Sequence, residues 1–103
     1  MTTDTAIHSI GIVRARELIE EGALLLDVRN PRAYASGRIM AARLVDDRDL
    51  TRLLLSTPKP TPILIYGEHD GDGRQFAEIF ADYGFDRVYC LDGGFTAWRR
   101  ALH

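Results

Sequence analysis

Thr61-Pro62-Ile63-Leu64-Ile65-Tyr66-Gly67-Glu68-His69-Asp70-Gly71-Asp72-Gly73-Arg74 is the stretch on which the reading of the chain turns. Ile63 to Tyr66 form an unbroken apolar and aromatic run, as a strand buried on both faces requires. Phe76, Ala77, Phe80 and Tyr83 then recur at helical spacing, which predicts a helix from about Gly73 to Tyr83 with one apolar face. Between them lies a polar turn rich in glycine. A strand, such a turn and a helix in that order point backbone N–H groups outward from the carboxyl end of a parallel sheet, where open α/β folds hold ligands. Gly67, Glu68, His69, Asp70, Gly71, Asp72, Gly73 and Arg74 are therefore the expected ligand-binding loop.

Elements of the same kind extend in both directions. His8 to Ile10 suit a short leading strand. Gly11 to Glu21 place Ile12, Ala15, Leu18 and Ile19 on one face of a helix that Gly22 stops. Ala23 to Val28 form a second buried strand, which delivers Asp27 and Arg29 at its carboxyl end. Asn30 caps, and Pro31 opens, a short helix closing at Gly37. Leu44 and Val45 suit a brief strand, Asp46-Asp47-Arg48-Asp49 a charged turn, and Leu50, Leu53 and Leu54 a core-facing helical stripe. Prolines 58, 60 and 62 prevent that helix from continuing. Beyond Gly84, Val88, Tyr89 and Cys90 offer a last strand, Asp92-Gly93-Gly94 a turn, and Phe95 to Leu102 a closing helix with Trp98 and Leu102 on one side. Strands and helices alternate throughout, so the expected fold class is α/β, a parallel sheet covered by helices on both faces.

Composition narrows the function classes. With 103 residues the expectation is a single domain over 1–103, and 46% hydrophobic with 27% charged residues indicates a globular chain. Thirteen basic and fifteen acidic side chains leave a net charge of -2 with no basic block. Nucleic acid and anionic membrane are disfavoured as partners. No transmembrane, signal or lipidation pattern is found, and Met1 to Ser9 has neither a basic start nor an apolar centre. The single cysteine, Cys90, rules out an internal disulfide and fits a reducing compartment, hence an expected cytoplasmic location.

Two motifs carry a resemblance. Leu25-Leu26-Asp27-Val28-Arg29-Asn30-Pro31-Arg32-Ala33-Tyr34-Ala35-Ser36-Gly37-Arg38-Ile39 resembles the early motif of single-domain rhodanese-like proteins. Gly84-Phe85, with Val88-Tyr89-Cys90-Leu91-Asp92-Gly93-Gly94-Phe95-Thr96-Ala97-Trp98, is similar to that family's closing motif. The resemblance implies a five-stranded parallel sheet and, at the start of the loop after the fourth strand, a nucleophilic cysteine. Its thiolate takes a sulfane sulfur as a persulfide and passes it to a thiophilic acceptor, while loop N–H groups and a basic side chain stabilise the anions. Counting back from Gly84 puts that cysteine position at Gly67 or within one residue of it, and no cysteine occurs from Tyr66 to Arg74. The family's loop arginine falls at about Asp72, and Arg38 and Met40 stand where the family commonly has His and Pro. Asp27 and Arg29 are scaffolding in the family.

Glycine offers no nucleophile, so the persulfide mechanism fails at Gly67 and no catalytic residue is expected in the loop. The leading expectation is a non-catalytic binding or regulatory module whose partner is a protein or a small anion. The alternative is a sulfurtransferase or persulfide carrier using Cys90, although a cysteine within a strand usually packs as a small hydrophobe. A third reading takes Glu68, His69, Asp70 and Asp72 as metal ligands or an acid/base set. The aspartate-glycine run lacks the distal glutamate of a calcium loop, since a count of about twelve from Asp70 lands on Ala81. No cofactor or metal is expected. Gly71, Gly73 and Arg74 could cradle an anion, against which stand the adjacent carboxylates and Asp72's suitability as a helix cap. His8 and His103 read as surface residues and Trp98 as core.

Overall fold

The computed structural model describes residues 7–102, so His103 and residues 1–6 lie outside the described part. Five strands form one parallel sheet in the order β1-β5-β4-β2-β3. They are β1 (Ile7–Ile10), β2 (Leu24–Asp27), β3 (Arg43–Leu44), β4 (Ile63–Tyr66) and β5 (Val88–Leu91), and between and after them run α1 (Ile12–Glu20), α2 (Pro31–Ser36), α3 (Asp47–Ser56), α4 (Arg74–Asp82) and α5 (Gly94–Ala101). β4 is central, and all four of its residues are buried, as its unbroken apolar run requires.

The period of two along each strand sorts the core into two layers. Ile63 and Ile65 face Leu53, Leu54, Ala77 and Phe80 of α3 and α4. Leu64 and Tyr66 face Ala15 of α1 and Phe95 of α5, with Tyr34 and Trp98 half-buried at that layer's margin. At the topological centre, β2 and β4 are neighbours in register, with Asp27 opposite Tyr66. The chain leaves β2 toward β3 on one side and leaves β4 toward β5 on the other. α2 covers one face and α4 the other. The loops beyond these two strands therefore part, which opens a crevice at the carboxyl end of the sheet.

The structure corrects three local expectations. Asp46 to Asp49 are not a separate turn: Asp46 caps α3, its carboxylate accepting the N–H groups of Arg48 and Asp49 at 2.9 and 3.0 Å. Tyr83 is 54% exposed, past the end of α4, and its ring lies 5.9 Å from Lys59 Nζ rather than in the core. Asp72 does not cap α4, whose N-cap is Gly73 with no side-chain hydrogen bond. Asn30 does cap α2, its side chain accepting the Ala33 N–H at 2.8 Å.

The Asp46 cap carries a pH prediction. Hydrogen bonds from Asp49 and Arg48 hold the Asp46 carboxyl below its ordinary value of 3.8. A depressed carboxyl contributes stability above its unfolded value and loses it as pH falls through the folded one. The melting temperature of Asp46→Ala should lie below that of the natural chain at neutral pH, and the gap should narrow as pH drops below 3.8. A gap independent of pH would contradict the charged cap.

Candidate functional site

The crevice between the β2–α2 and β4–α4 loops holds a cavity of about 310 Å³, lined by Val28, Arg29, Asn30 and Ala33 on one side and Gly67, Glu68 and Asp72 on the other. Its floor is the buried pair Asp27–Arg29. Asp27 is fully buried and Arg29's side chain only 4% exposed. Arg29 donates from Nε and Nη2 to the Asp27 carboxylate at 3.1 and 2.7 Å, and its backbone N–H adds a bond at 2.9 Å. Nη2 also reaches the Gly37 carbonyl at 2.6 Å. The guanidinium lies 4.2 Å from the Phe95 ring centroid and 5.7 Å from that of Tyr66. Burial opposes the charge on Arg29, but Asp27 and Glu68 outweigh it.

Tyr66, fully buried, lies behind the arginine and does not line the crevice. Its hydroxyl accepts the Ile39 N–H at 3.2 Å. Burial first, and Asp27 second, push its ionisation well above the ordinary tyrosine value.

Only one donor of Arg29, Nη1, turns toward the loop, and Glu68 takes it at 3.2 Å. The other carboxylate oxygen of Glu68 accepts from Arg99 Nη2 at 3.5 Å and lies 3.2 Å from Thr96 Oγ1, whose hydroxyl it shares with the Glu68 backbone carbonyl at 2.9 Å. Burial tends to raise the Glu68 pKa, but the bonds from Arg29 and Thr96 win and hold it below the ordinary carboxylate value. The opening of α5 secures the loop backbone as well. Phe95 N–H donates to the Gly67 carbonyl at 2.9 Å and Thr96 N–H to that of Glu68 at 3.1 Å. This close approach explains Gly94: it has φ +62°, and a Cβ there would come within 2.8 Å of both carbonyl oxygens.

At Gly67 there is no space for a side chain. A Cβ added there would collide with Asp72 Cβ and lie 3.3 Å from Asp72 Cγ. Asp72 is folded back into the loop, its carboxylate accepting the His69 N–H at 2.8 Å. That bond, rather than helix capping, is its role.

The eight loop residues do not make one site. Gly67, Glu68 and Asp72 line the crevice, with Arg29 opposite them. Asp70, Gly71 and Arg74 instead line a second cavity of about 340 Å³ with Ser9 and Cys90, at the ends of β1 and β5. Arg74 pairs with Glu78 at 3.6 Å, away from Gly67. Gly73 is buried, and a Cβ there would sit 2.9 Å from Ile65 Cγ2, so its role is close packing. The set Glu68, His69 and Asp70 diverges: Glu68 turns to Arg29, Asp70 accepts the Gly93 N–H at 2.7 Å, and His69 is exposed with Nδ1 3.5 Å from Thr96 Oγ1. Among the described residues, no three His, Cys, Asp or Glu side chains are placed to hold a metal ion.

Cys90 is half-buried and faces the α4 side of the sheet, the side opposite Tyr66. Burial first, opposed by Arg74 and reinforced by Asp92, Asp70 and Glu78, pushes its thiol above the ordinary value. Such a thiol is largely protonated at neutral pH.

The sequence reading missed Thr96, which had no signal beyond its place in the closing motif, and Arg99, which follows that motif. It also missed Tyr66 as a buried neighbour of Arg29. Its signal was an aromatic residue ending an aliphatic strand.

Comparison with known proteins bears on this architecture. A model of the rhodanese-like domain matches residues 13–101. A protein of Pseudomonas paraeruginosa named thiosulfate sulfurtransferase GlpE is 35% identical over 86 residues, which are 84% of this chain and 78% of that protein. The crystal structure of a rhodanese-like domain from an Anabaena protein superposes with a TM-score of 0.69 at 33% identity, over 78% of this chain and 93% of that one. A human single-domain sulfurtransferase matches in fold, with a TM-score of 0.76 at 19% identity over 89% of this chain and 95% of its own.

Proposed function

We propose, because this chain belongs to the rhodanese-like domain family, that it uses the family's crevice for binding and forms no persulfide at Gly67. The observation that carries this reading is Asp72, whose Cβ stands where a side chain at position 67 would begin and whose carboxylate holds the His69 N–H. The loop thus lacks a nucleophile and the space for one, and its one cation, Arg74, pairs with Glu78 and lines the other cavity. Removing an essential nucleophile leaves only residual catalysis. The ligand is a protein partner or a small anion, and the lone cysteine suits a cytoplasmic setting. Among the described residues, no helix is long and apolar enough to cross a membrane.

A second reading is sulfur transfer through Cys90. It is favoured by the curated relatives, which are named thiosulfate sulfurtransferase and speak for this reading more than for a binding module. Cys90 is also not enclosed, since it lines a cavity with Arg74 as an adjacent cation. Its raised pKa and three nearby carboxylates oppose that role.

One experiment separates the two. After incubation with thiosulfate, intact-mass analysis of the natural chain should show no added sulfur. A gain of one sulfur that disappears in Cys90→Ser would establish the second reading and overturn the first.

A further inference from the structure

We propose that Glu68 is a tethered occupant of a carboxylate site built by Arg29, Thr96 and Arg99, and that a ligand's carboxylate binds by taking its place. This rests on the binding reading of the crevice above. The site is already shown holding a carboxylate. One oxygen of Glu68 is on Arg29 Nη1 at 3.2 Å; the other is 3.5 Å from Arg99 Nη2 and 3.2 Å from Thr96 Oγ1, whose hydroxyl is shared with the Glu68 backbone carbonyl at 2.9 Å. Arg29 is a preset part, since its other contacts anchor it to Asp27 and Gly37 with the side chain 4% exposed. Glu68 is the exchangeable part, at 33% side-chain exposure and on a loop. Space for a displaced side chain and an incoming group adjoins it in two cavities, of about 310 and 200 Å³, that both reach Arg29 and Glu68.

Charge balance selects the ligand. With Glu68 swung out, Asp27 still offsets Arg29, and Arg99 has lost its carboxylate partner. A monoanion restores the charge that the site holds with Glu68 in place. A dianion such as sulfate or thiosulfate brings one negative charge too many into a crevice that Asp72 also lines. Surplus charge in a partly buried site is costly. The ligand is therefore a single carboxylate, on a small molecule or on an acidic side chain of a protein.

The test is chemical rescue of Glu68→Ala. Sodium acetate at about ten times its dissociation constant should raise the variant's melting temperature by roughly 5–10 °C over sodium chloride of equal ionic strength. Sodium sulfate should not, and Glu68→Gln, whose amide keeps the seat filled, should not respond to acetate. A parallel arm with glutamate blocked at both backbone termini distinguishes the sources: its binding alone indicates a protein side chain, and acetate alone a small carboxylate. No rescue by either, or equal rescue by sulfate, overturns the proposal. Should Glu68→Ala not fold, Glu68→Ser serves with the same criteria. Sulfur loading measured by mass on the same samples reports separately on the non-catalytic reading, so failure of one is not mistaken for failure of the other.

Discussion

Asp27→Ala is expected to lower the unfolding free energy by about 3–5 kcal/mol, the usual cost of stripping one partner from a buried ion pair. Asp27 has no exposed surface, and its carboxylate takes three donors of Arg29: the backbone N–H, Nε and Nη2. Without it the guanidinium remains enclosed against Phe95, with only Glu68 and the Gly37 carbonyl as polar partners. A small domain is stable by about 5–15 kcal/mol in total, so the variant should be near its unfolding threshold. Urea denaturation of Asp27→Ala, Arg29→Met and the double variant would measure the effect. The double variant should lose clearly less than the sum of the singles, because no unpaired charge remains buried. A loss below about 1 kcal/mol in Asp27→Ala would mean that the pair contributes no more than a surface contact.

The second large effect concerns the position where the family's cysteine would stand. Gly67→Cys alone should not restore sulfur transfer. Its Cβ collides with Asp72, so the loop must shift, at about 1–3 kcal/mol as for other overpacked sites. The adjacent Asp72 carboxylate also disfavours a thiolate. Because the obstruction is the Asp72 Cβ itself, a serine or alanine at position 72 would not relieve it, whereas Asp72→Gly would. Gly67→Cys/Asp72→Gly should therefore take up one sulfur from thiosulfate by mass, where the single variant takes up none. Equal activity in single and double variants would show that Asp72 does not obstruct the loop.

The fold was legible where its determinants are local. Pro31 after a capping Asn30, Gly22 and Gly84 at positive φ after helices, and the apolar run of β4 each act within a few residues. The places where the reading failed were also local in appearance. Asp46 to Asp49 read as a turn because charged residues mark turns, but aspartate is equally a helix cap and an acidic first turn is favoured. Asp72 had the sequence position of a cap. Its carboxylate instead satisfies His69 N–H, a choice set by how tightly the loop closes.

The candidate site divided along the same line. By itself the sequence determined that the chain is rhodanese-like, that its loop follows the central strand, and that Gly67 brings no nucleophile. Tertiary structure alone decided which groups meet. Glu68 is paired with Arg29 and Arg99 because the ends of β2 and β4 and helix α5 converge at the sheet's carboxyl end, far apart as these residues are in the chain. Cys90 stays away from Tyr66 because alternate residues of a strand face opposite sides of the sheet, and Arg74 goes with Cys90 because α4 covers that side. Periodicity and turn chemistry are properties of neighbouring residues, whereas an ion pair across a crevice depends on strand order and register, which arise only when the whole sheet assembles.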